Sequence, residues 1–141
     1  MIRVAVTDPA ARVRTALRMR LQLEADVDVV AECASVECAL RVVGSGDVDV
    51  LVVDLVGDDL DQTSTALLDG QVPCGVVVLS LDDRLARLAG ARVRFVSKYA
   101  DESAVVDAVR HVHALRVPAP HAVPAPLPPP PPEVARLRRK T

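Results

Sequence analysis

Four polar residues, Asp8, Asp54, Ser80 and Lys98, each come just after one of the short apolar runs of the sequence. A carboxylate can attack a phosphoryl group and form an acyl phosphate. Two neighbouring carboxylates can hold Mg²⁺, which neutralises phosphoryl oxygens, while an ammonium group and a hydroxyl can bind those oxygens directly. Together these residue types indicate phosphoryl transfer to an aspartate.

The elements that must position these side chains are five apolar runs alternating with helical patterns. The predicted strands cover residues 2–6, 27–33, 48–53, 76–79 and 93–96, and the predicted helices cover residues 9–23, 36–44, 62–68, 81–89 and 102–115. Strand–helix alternation predicts a parallel sheet with helices on both faces. Five such units predict the doubly wound α/β fold, (βα)5, with the flavodoxin-like strand order 2-1-3-4-5.

This topology predicts where the polar residues meet. Sites in open parallel sheets form outside the carboxyl ends of the strands, where the strand order reverses, here between strands one and three. Asp8 follows strand one and Asp54 follows strand three, so their carboxylates should lie side by side. Ser80 and Lys98 follow the next two strands and should reach the same edge.

Helical periodicity predicts which side chains point into the core. The predicted inward faces are Val13, Ala16, Leu17 and Leu21 in the first helix, Val36, Ala39, Leu40 and Val43 in the second, and Val105, Ala108, Val109 and Val112 in the last. Asp8 is the predicted N-cap of the first helix, with Pro9 as its first residue, and Ser35 is the predicted N-cap of the second.

Composition narrows the function classes. The chain has 141 residues, half of them hydrophobic, which suits one domain with its own core. Phe95 and Tyr99 are the only aromatic residues, and the first 116 residues are net acidic, so we expect no nucleic-acid contact by the folded part. Three cysteines without CxxC spacing suggest reduced, core-filling thiols. Without a signal peptide or an apolar run of about 20 residues, we expect a cytoplasmic protein that makes no membrane contact.

The last part of the chain, residues 117–141, has a different composition from residues 1–116, which form the predicted domain. Nine of the eleven prolines lie between residues 117 and 132, and the chain ends in a basic cluster. Such a segment predicts extended polyproline II in a flexible tail, without packed structure. It is either a linker to something further or a tail that binds a partner, and the sequence leaves both open.

The strand ends resemble those of response-regulator receiver domains. The resemblance lies in Ile2-Arg3-Val4-Ala5-Val6-Thr7-Asp8, Val50-Leu51-Val52-Val53-Asp54, Val76-Val77-Val78-Leu79-Ser80 and Phe95-Val96-Ser97-Lys98. It covers residues 1–115 and is closest to regulators with a C-terminal helix-turn-helix. Each motif alone is weak, but four in order, each at a strand end, are fairly specific.

The resemblance implies a role for each site residue. Asp54 would be the phosphoacceptor, with a histidine kinase as donor and partner. Asp8, Asp54 and the backbone carbonyl of Val56 would bind Mg²⁺. Ser80 and Lys98 would bind the phosphoryl group, and Ser80 and Phe95 would act as the switch. The fourth helix, fifth strand and last helix would form a homodimer face, and the output would be transcription regulation.

Several positions depart from the family pattern. Pro9 stands where the family has a second acid, so one Mg²⁺ ligand is missing and metal binding could be weak or lost. Asp58 and Asp59 replace the usual proline and glycine beyond the acceptor, and Leu81 replaces a small residue. The stretch between Ser80 and Lys98 is about one helical turn short. One of the nearby acids, Asp58, Asp59 or Asp61, is a hypothetical substitute ligand.

Two other functions remain open. The departures favour a degenerate receiver that acts as a phosphorylation-independent interaction or dimerisation module. A small phosphatase with Asp54 as nucleophile is less favoured, because such enzymes need a further acid two residues on, where this chain has Val56. For single residues simpler roles exist: Asp8 as a helix cap only, Ser80 with Asp83 as a capping box, and Lys98 as a solvated lysine.

Overall fold

The structure is a computed structural model that describes residues 1–55, 67–68, 72–81, 92–98, 100–115 and 134–137. Most of the third and fourth predicted helices, residues 62–66 and 82–89, lies outside the described residues. Most of the proline-rich segment also lies outside the described residues. The same holds for the single residues Val56, Asp58, Asp59, Asp61, Asp83 and Tyr99. The predictions made for them stay predictions.

The described elements are six strands and three helices. The strands are β1 (Ile2–Thr7), β2 (Val27–Cys33), β3 (Val50–Asp54), β4 (Gly75–Ser80), β5 (Val93–Ser97) and β6 (Val134–Arg136), and the helices are α1 (Ala11–Gln22), α2 (Val36–Gly44) and α3 (Glu102–Ala114). Leu67 and Leu68 are also helical and buried. None of the helices in these ranges has the length and apolar character that crossing a bilayer requires.

The first five strands form a parallel sheet in the order β5-β4-β3-β1-β2. This confirms the predicted doubly wound order. The register aligns the strand ends, since Thr7 lies opposite Val53 and Ser80 lies opposite Ser97. The carboxyl ends of β1, β3, β4 and β5 therefore reach one edge of the sheet, as the site requires.

Each face of the sheet has its own core cluster. On one face the buried residues of α2, among them Ala39 and Val43, pack against β1 and β3. On the other face α3 contributes Val105, Ala108, Val109 and Val112, all buried as predicted. The cysteines Cys33, Cys38 and Cys74 are buried free thiols, and burial raises the pKa of the Cys74 thiol to about 12. Such a thiol stays protonated, as expected of a core-filling residue.

The predicted inward face of α1 is only partly correct. Leu21 is buried and Leu17 is half-buried, but Ala16 is exposed and Val13 is 48 % exposed. The apolar stripe of α1 reaches the core only in its C-terminal half. The other half faces a cavity between α1 and α3.

Charged side chains fix α3 against the opposite end of the sheet. The Arg110 guanidinium donates to both oxygens of Asp26, each at 2.9 Å, and to Glu24 at 3.0 Å. Asp26 and Glu24 lie in the turn between α1 and β2. This cluster is exposed, so its contribution to stability is small, but it ties the C-terminal half of α3 to the turn that follows α1.

A sixth strand was not predicted. β6 pairs antiparallel with β2 at the sheet edge, where Cys33 lies opposite Val134 and Ala31 lies opposite Arg136. The Leu137 N–H donates to Val30 O at 3.1 Å, and Leu137 packs against the core cluster on the α3 face. The prediction of a flexible tail is therefore wrong for residues 134–137, because a free strand edge offers backbone partners to any extended segment within reach.

Removing this strand should weaken the fold modestly. A chain that ends at residue 133 is expected to lose about 1 kcal/mol of unfolding free energy, since a few net-favourable backbone hydrogen bonds are offset by the entropy of ordering the tail. Urea unfolding measures the difference. The matched control ends at residue 137, which removes the basic terminus but keeps the strand. Equal midpoints for the two truncated chains would refute a stabilising role for β6.

Candidate functional site

The four predicted polar residues all lie at the carboxyl edge of the sheet. Asp54 and Ser80 are the last residues of β3 and β4, while Asp8 and Lys98 directly follow β1 and β5. The backbone fixes this arrangement, because the Lys98 N–H donates to Ser80 O at 3.2 Å. The convergence predicted from strand order is confirmed.

Lys98 and Asp54 form an ion pair at the centre of the edge. The Lys98 Nζ lies 2.5 Å from Asp54 Oδ1. The Asp54 side chain is 13 % exposed and the Lys98 side chain is 30 % exposed, so the pair is partly shielded from water but open to a ligand. Lys98 is therefore not a free surface lysine, and its charge is available to any anionic group that attaches to Asp54.

Asp8 completes a carboxylate pair with Asp54. Asp8 is only 3 % exposed, and its carboxyl lies within hydrogen-bonding reach of Asp54. Burial raises the pKa of Asp8 above its usual range. The nearby Asp54 carboxyl raises it further, while the Ala10 N–H and Lys98 act in the opposite direction. The close approach of two acids at a buried edge is typical of a cation or phosphoryl site.

The predicted helix-cap role of Asp8 is wrong. Helix α1 begins at Ala11, and its N-cap is Ala10, which has no side-chain cap. Asp8 Oδ1 instead accepts a hydrogen bond from the Ala10 N–H at 2.8 Å, an Asx-type turn that shapes the loop before the helix. Arg14 supports this turn by donating to the Asp8 backbone oxygen at 2.8 Å, a contact that the sequence pattern gave no means of finding. Ser35 does cap α2 as predicted, accepting from the Cys38 N–H.

Ser80 and Phe95, the two residues predicted to act as a switch, lie on the neighbouring strands β4 and β5. Ser80 is buried at the end of β4, beside the strand that carries Phe95. Phe95 is half-buried and packs against the core cluster on the α2 face. The role of both side chains in switching stays a prediction.

The two carboxylates Asp8 and Asp54 could bind Mg²⁺, although they provide few protein ligands. Asp8 and Asp54 supply hard carboxylate oxygens, which Mg²⁺ prefers, and Mg²⁺ commonly binds one or two carboxylates and keeps several waters. Within the described ranges no group of three or more His, Cys, Asp or Glu side chains converges as a metal site. Pro9 has no side-chain oxygen, and Val56 lies outside the described residues. The residues present fit a two-carboxylate site.

The raised pKa of Asp8 predicts that this site costs stability. Asp8 is easier to ionise in the unfolded chain than in the folded protein, so ionisation of Asp8 lowers the unfolding free energy. The full unfolding free energy is present below the unfolded pKa, and part of it is lost as the pH rises through the folded pKa. Asp8→Asn is therefore expected to raise the unfolding free energy by about 1 kcal/mol at pH 7 and to have little effect at pH 3. Urea unfolding of both proteins at the two pH values tests this, and a less stable variant at pH 7 would contradict it.

Comparison with solved structures identifies the fold. The chain matches the receiver domain of the response regulator NarL from Mycobacterium tuberculosis at 24 % identity, with a TM-score of 0.67, over 82 % of this chain and 98 % of that one. It matches the isolated receiver domain of RcsB from Salmonella enterica serovar Typhimurium at 18 % identity, with a TM-score of 0.65, over 85 % of this chain and 94 % of that one.

A third match has higher sequence identity. ChrA, the response regulator of a heme-sensing two-component system, is 32 % identical, with a TM-score of 0.60 over 82 % of this chain. The match spans 58 % of ChrA, so this chain covers little more than half of that regulator. No protein-family model matches the sequence, and no curated protein sequence matches it.

The fold and the acidic edge together define the class. The described part of the chain has the fold of a response-regulator receiver domain, which confirms the resemblance seen in the sequence at the level of the fold. Two features accompany this fold in the present chain: a pair of carboxylates at the carboxyl edge of the sheet, and the antiparallel edge strand β6.

Proposed function

We propose that this domain is a phosphoacceptor switch that takes a phosphoryl group on Asp54 from a histidine kinase. The observation that supports this most directly is the Lys98–Asp54 ion pair beside the buried Asp8 carboxyl. A lysine already in contact with the acceptor is placed to bind the phosphoryl oxygens as charge develops on them.

The reaction requires an oxygen nucleophile and charge neutralisation. A carboxylate oxygen of Asp54 attacks the phosphorus of the kinase phosphohistidine, forming the P–O bond of an acyl phosphate as the P–N bond breaks. The electron pair of that bond stays on the imidazole nitrogen, which takes up a proton. Asp8 and Asp54 would hold Mg²⁺, which when bound neutralises the phosphoryl oxygens. Lys98 binds those oxygens from the other side.

The response to phosphorylation would pass through the ends of β4 and β5. The new phosphoryl group attracts the Ser80 hydroxyl and the Lys98 ammonium, and Phe95 repacks as β5 shifts. We place the output on the face formed by the fourth helix, β5 and α3, where a second copy could dock. The domain would be a switch that promotes its own phosphorylation, working in the cytoplasm upstream of transcription.

Intact mass after incubation with Mg²⁺ and a small phosphodonor tests the proposal. The wild-type protein should gain one phosphoryl group and the Asp54→Asn variant none. Asp107→Asn, which alters an exposed aspartate on α3, is the matched control and should behave as the wild type. A gain that persists in Asp54→Asn would show that another residue is the acceptor.

A phosphorylation-independent interaction module is the second candidate. The observation that favours it is the donor set, which has two converging carboxylates and Pro9 in place of a third. In this form the Lys98–Asp54 ion pair would be a permanent structural contact. No mass gain across a wide Mg²⁺ range, with an intact fold, would select this function over the first.

A further inference from the structure

The cavity beside the acidic edge has the size of a small-molecule site. Its volume is about 490 Å³, and it lies between the N-terminal half of α1 and the start of α3. Pockets for small ligands commonly measure about 300–1,000 Å³. Leu17, Leu79 and Val105 form an apolar wall, and Asp54 and Lys98 lie at the end nearest the carboxyl edge.

The apolar stripe of α1 indicates that something covers this cavity. Val13 and Ala16 follow the helical periodicity of a core-facing surface, yet both are exposed and both line the cavity. Exposing part of a continuous apolar stripe is unfavourable unless a ligand or partner buries it. The charged rim of the cavity decides which kind of occupant fits.

Arg12 is the basic residue on the cavity rim that has no ion-pair partner among the described residues. Three basic side chains line the cavity, Arg12, Arg20 and Lys98, against two acidic ones, Asp54 and Glu102. Lys98 pairs with Asp54, and Arg20 pairs with Glu24 at 2.9 Å and with Glu102 at 3.7 Å. Arg12 makes no ion pair with any residue that the structure describes. An anionic ligand would therefore meet a guanidinium that no carboxylate of the described residues neutralises.

We propose that this cavity binds a small amphipathic anion, with its apolar body between α1 and α3 and its anionic group held by Arg12 and Lys98. The apolar body covers the stripe formed by Val13, Ala16 and Leu17. Binding in this cavity is a different function from phosphoryl transfer, although Asp54 and Lys98 contribute to both sites. Binding is therefore measured without Mg²⁺ or phosphodonor, so that its failure and the failure of the proposed phosphorylation can be told apart.

The anionic probe is 8-anilinonaphthalene-1-sulfonate, an aromatic molecule with one sulfonate. The neutral control ligand is N-phenyl-1-naphthylamine, which lacks the sulfonate. Fluorescence titration of the full chain should show one saturable site for the anion. The neutral analogue should bind about tenfold more weakly, the loss of roughly one charged hydrogen bond. Chemical-shift changes in an NMR spectrum should be confined to α1, the start of α3 and the carboxyl ends of β3, β4 and β5.

Single substitutions test whether the probe binds in this cavity. Val13→Glu and, independently, Ala16→Glu put a negative charge on the cavity wall at exposed positions, and each should weaken the anion about tenfold or more. Met19→Glu is the control, since Met19 is 60 % exposed on α1 and does not line the cavity. Arg12→Gln should weaken the anion but not the neutral analogue, and Arg41→Gln on α2 should change neither.

Three results would overturn the proposal. One is equal affinity for the anion in the wild type, Val13→Glu, Ala16→Glu and Met19→Glu, which would mean that the probe binds elsewhere. Another is equal affinity for the anion and its neutral analogue, with no effect of Arg12→Gln. The third is probe binding that disappears at high protein concentration as a dimer forms, which would show that a second copy covers the stripe.

Discussion

Replacing Lys98 with methionine is expected to slow phosphoryl acceptance by Asp54 about a hundredfold. Lys98 Nζ lies 2.5 Å from Asp54 Oδ1, so its charge is in place before the phosphoryl group arrives. Removing one pre-positioned donor from a phosphoryl or oxyanion site typically costs about 10²–10³ in rate. Methionine keeps the length and the apolar stem of the side chain while removing the charge. The rate is measured as a time course of intact mass with a small phosphodonor.

Two companion variants show whether the charge or the geometry matters. Lys98→Arg keeps the charge but spreads it over a planar group, so it should recover only part of the rate. Arg94→Met removes a positive charge from an exposed position on the same strand, and it should leave the rate unchanged. A wild-type rate in Lys98→Met would mean that the ion pair is structural and that Lys98 does not assist phosphoryl transfer to Asp54.

The position of the site could be predicted because it depends on topology and not on side-chain detail. A continuous apolar run such as Val50–Asp54 indicates a strand buried on both faces, and strand order then fixes which strand ends are neighbours. The meeting of Asp8, Asp54, Ser80 and Lys98 at one edge follows from that order alone. The contact between Lys98 and Asp54 does not follow, because it depends on the rotamers of two side chains.

The errors in the sequence-based predictions have a common physical origin. Helical periodicity gives the direction in which Val13 points but not the distance to the opposing helix, so it cannot distinguish a core from a cavity. Asp8 was assigned as a helix cap because it precedes Pro9, yet an aspartate can satisfy a nearby N–H through a local turn just as well. β6 pairs with residues about a hundred positions earlier, and no local pattern records such a pairing.

The close packing of α3 on the sheet leads to the second large expected effect, at Gly75. Gly75 begins β4, directly beneath Val112 of α3. A Cβ atom added to Gly75 would lie 2.9 Å from Val112 Cγ2 and 3.0 Å from Val112 Cβ. Val112 is itself buried, so it has little room to move. Gly75→Ala is therefore expected to lower the unfolding free energy by about 2 kcal/mol, within the usual range for overpacking a core.

A double-mutant cycle in urea separates this steric cause from a general loss of strand stability. Val112→Ala alone should also destabilise the protein, by leaving a small void. In that background the contact with Val112 Cγ2 at 2.9 Å is gone while the contact with its Cβ at 3.0 Å remains, so the cost of Gly75→Ala should fall by about 1 kcal/mol. Gly46→Ala is the control, because Gly46 has a positive φ of 82° and no heavy atom within 4 Å of an added Cβ. Its cost comes from the backbone and should be the same in either background. If Gly75→Ala costs as much with Ala at position 112 as with Val, contact with the Val112 γ-methyl group is not the source of the cost.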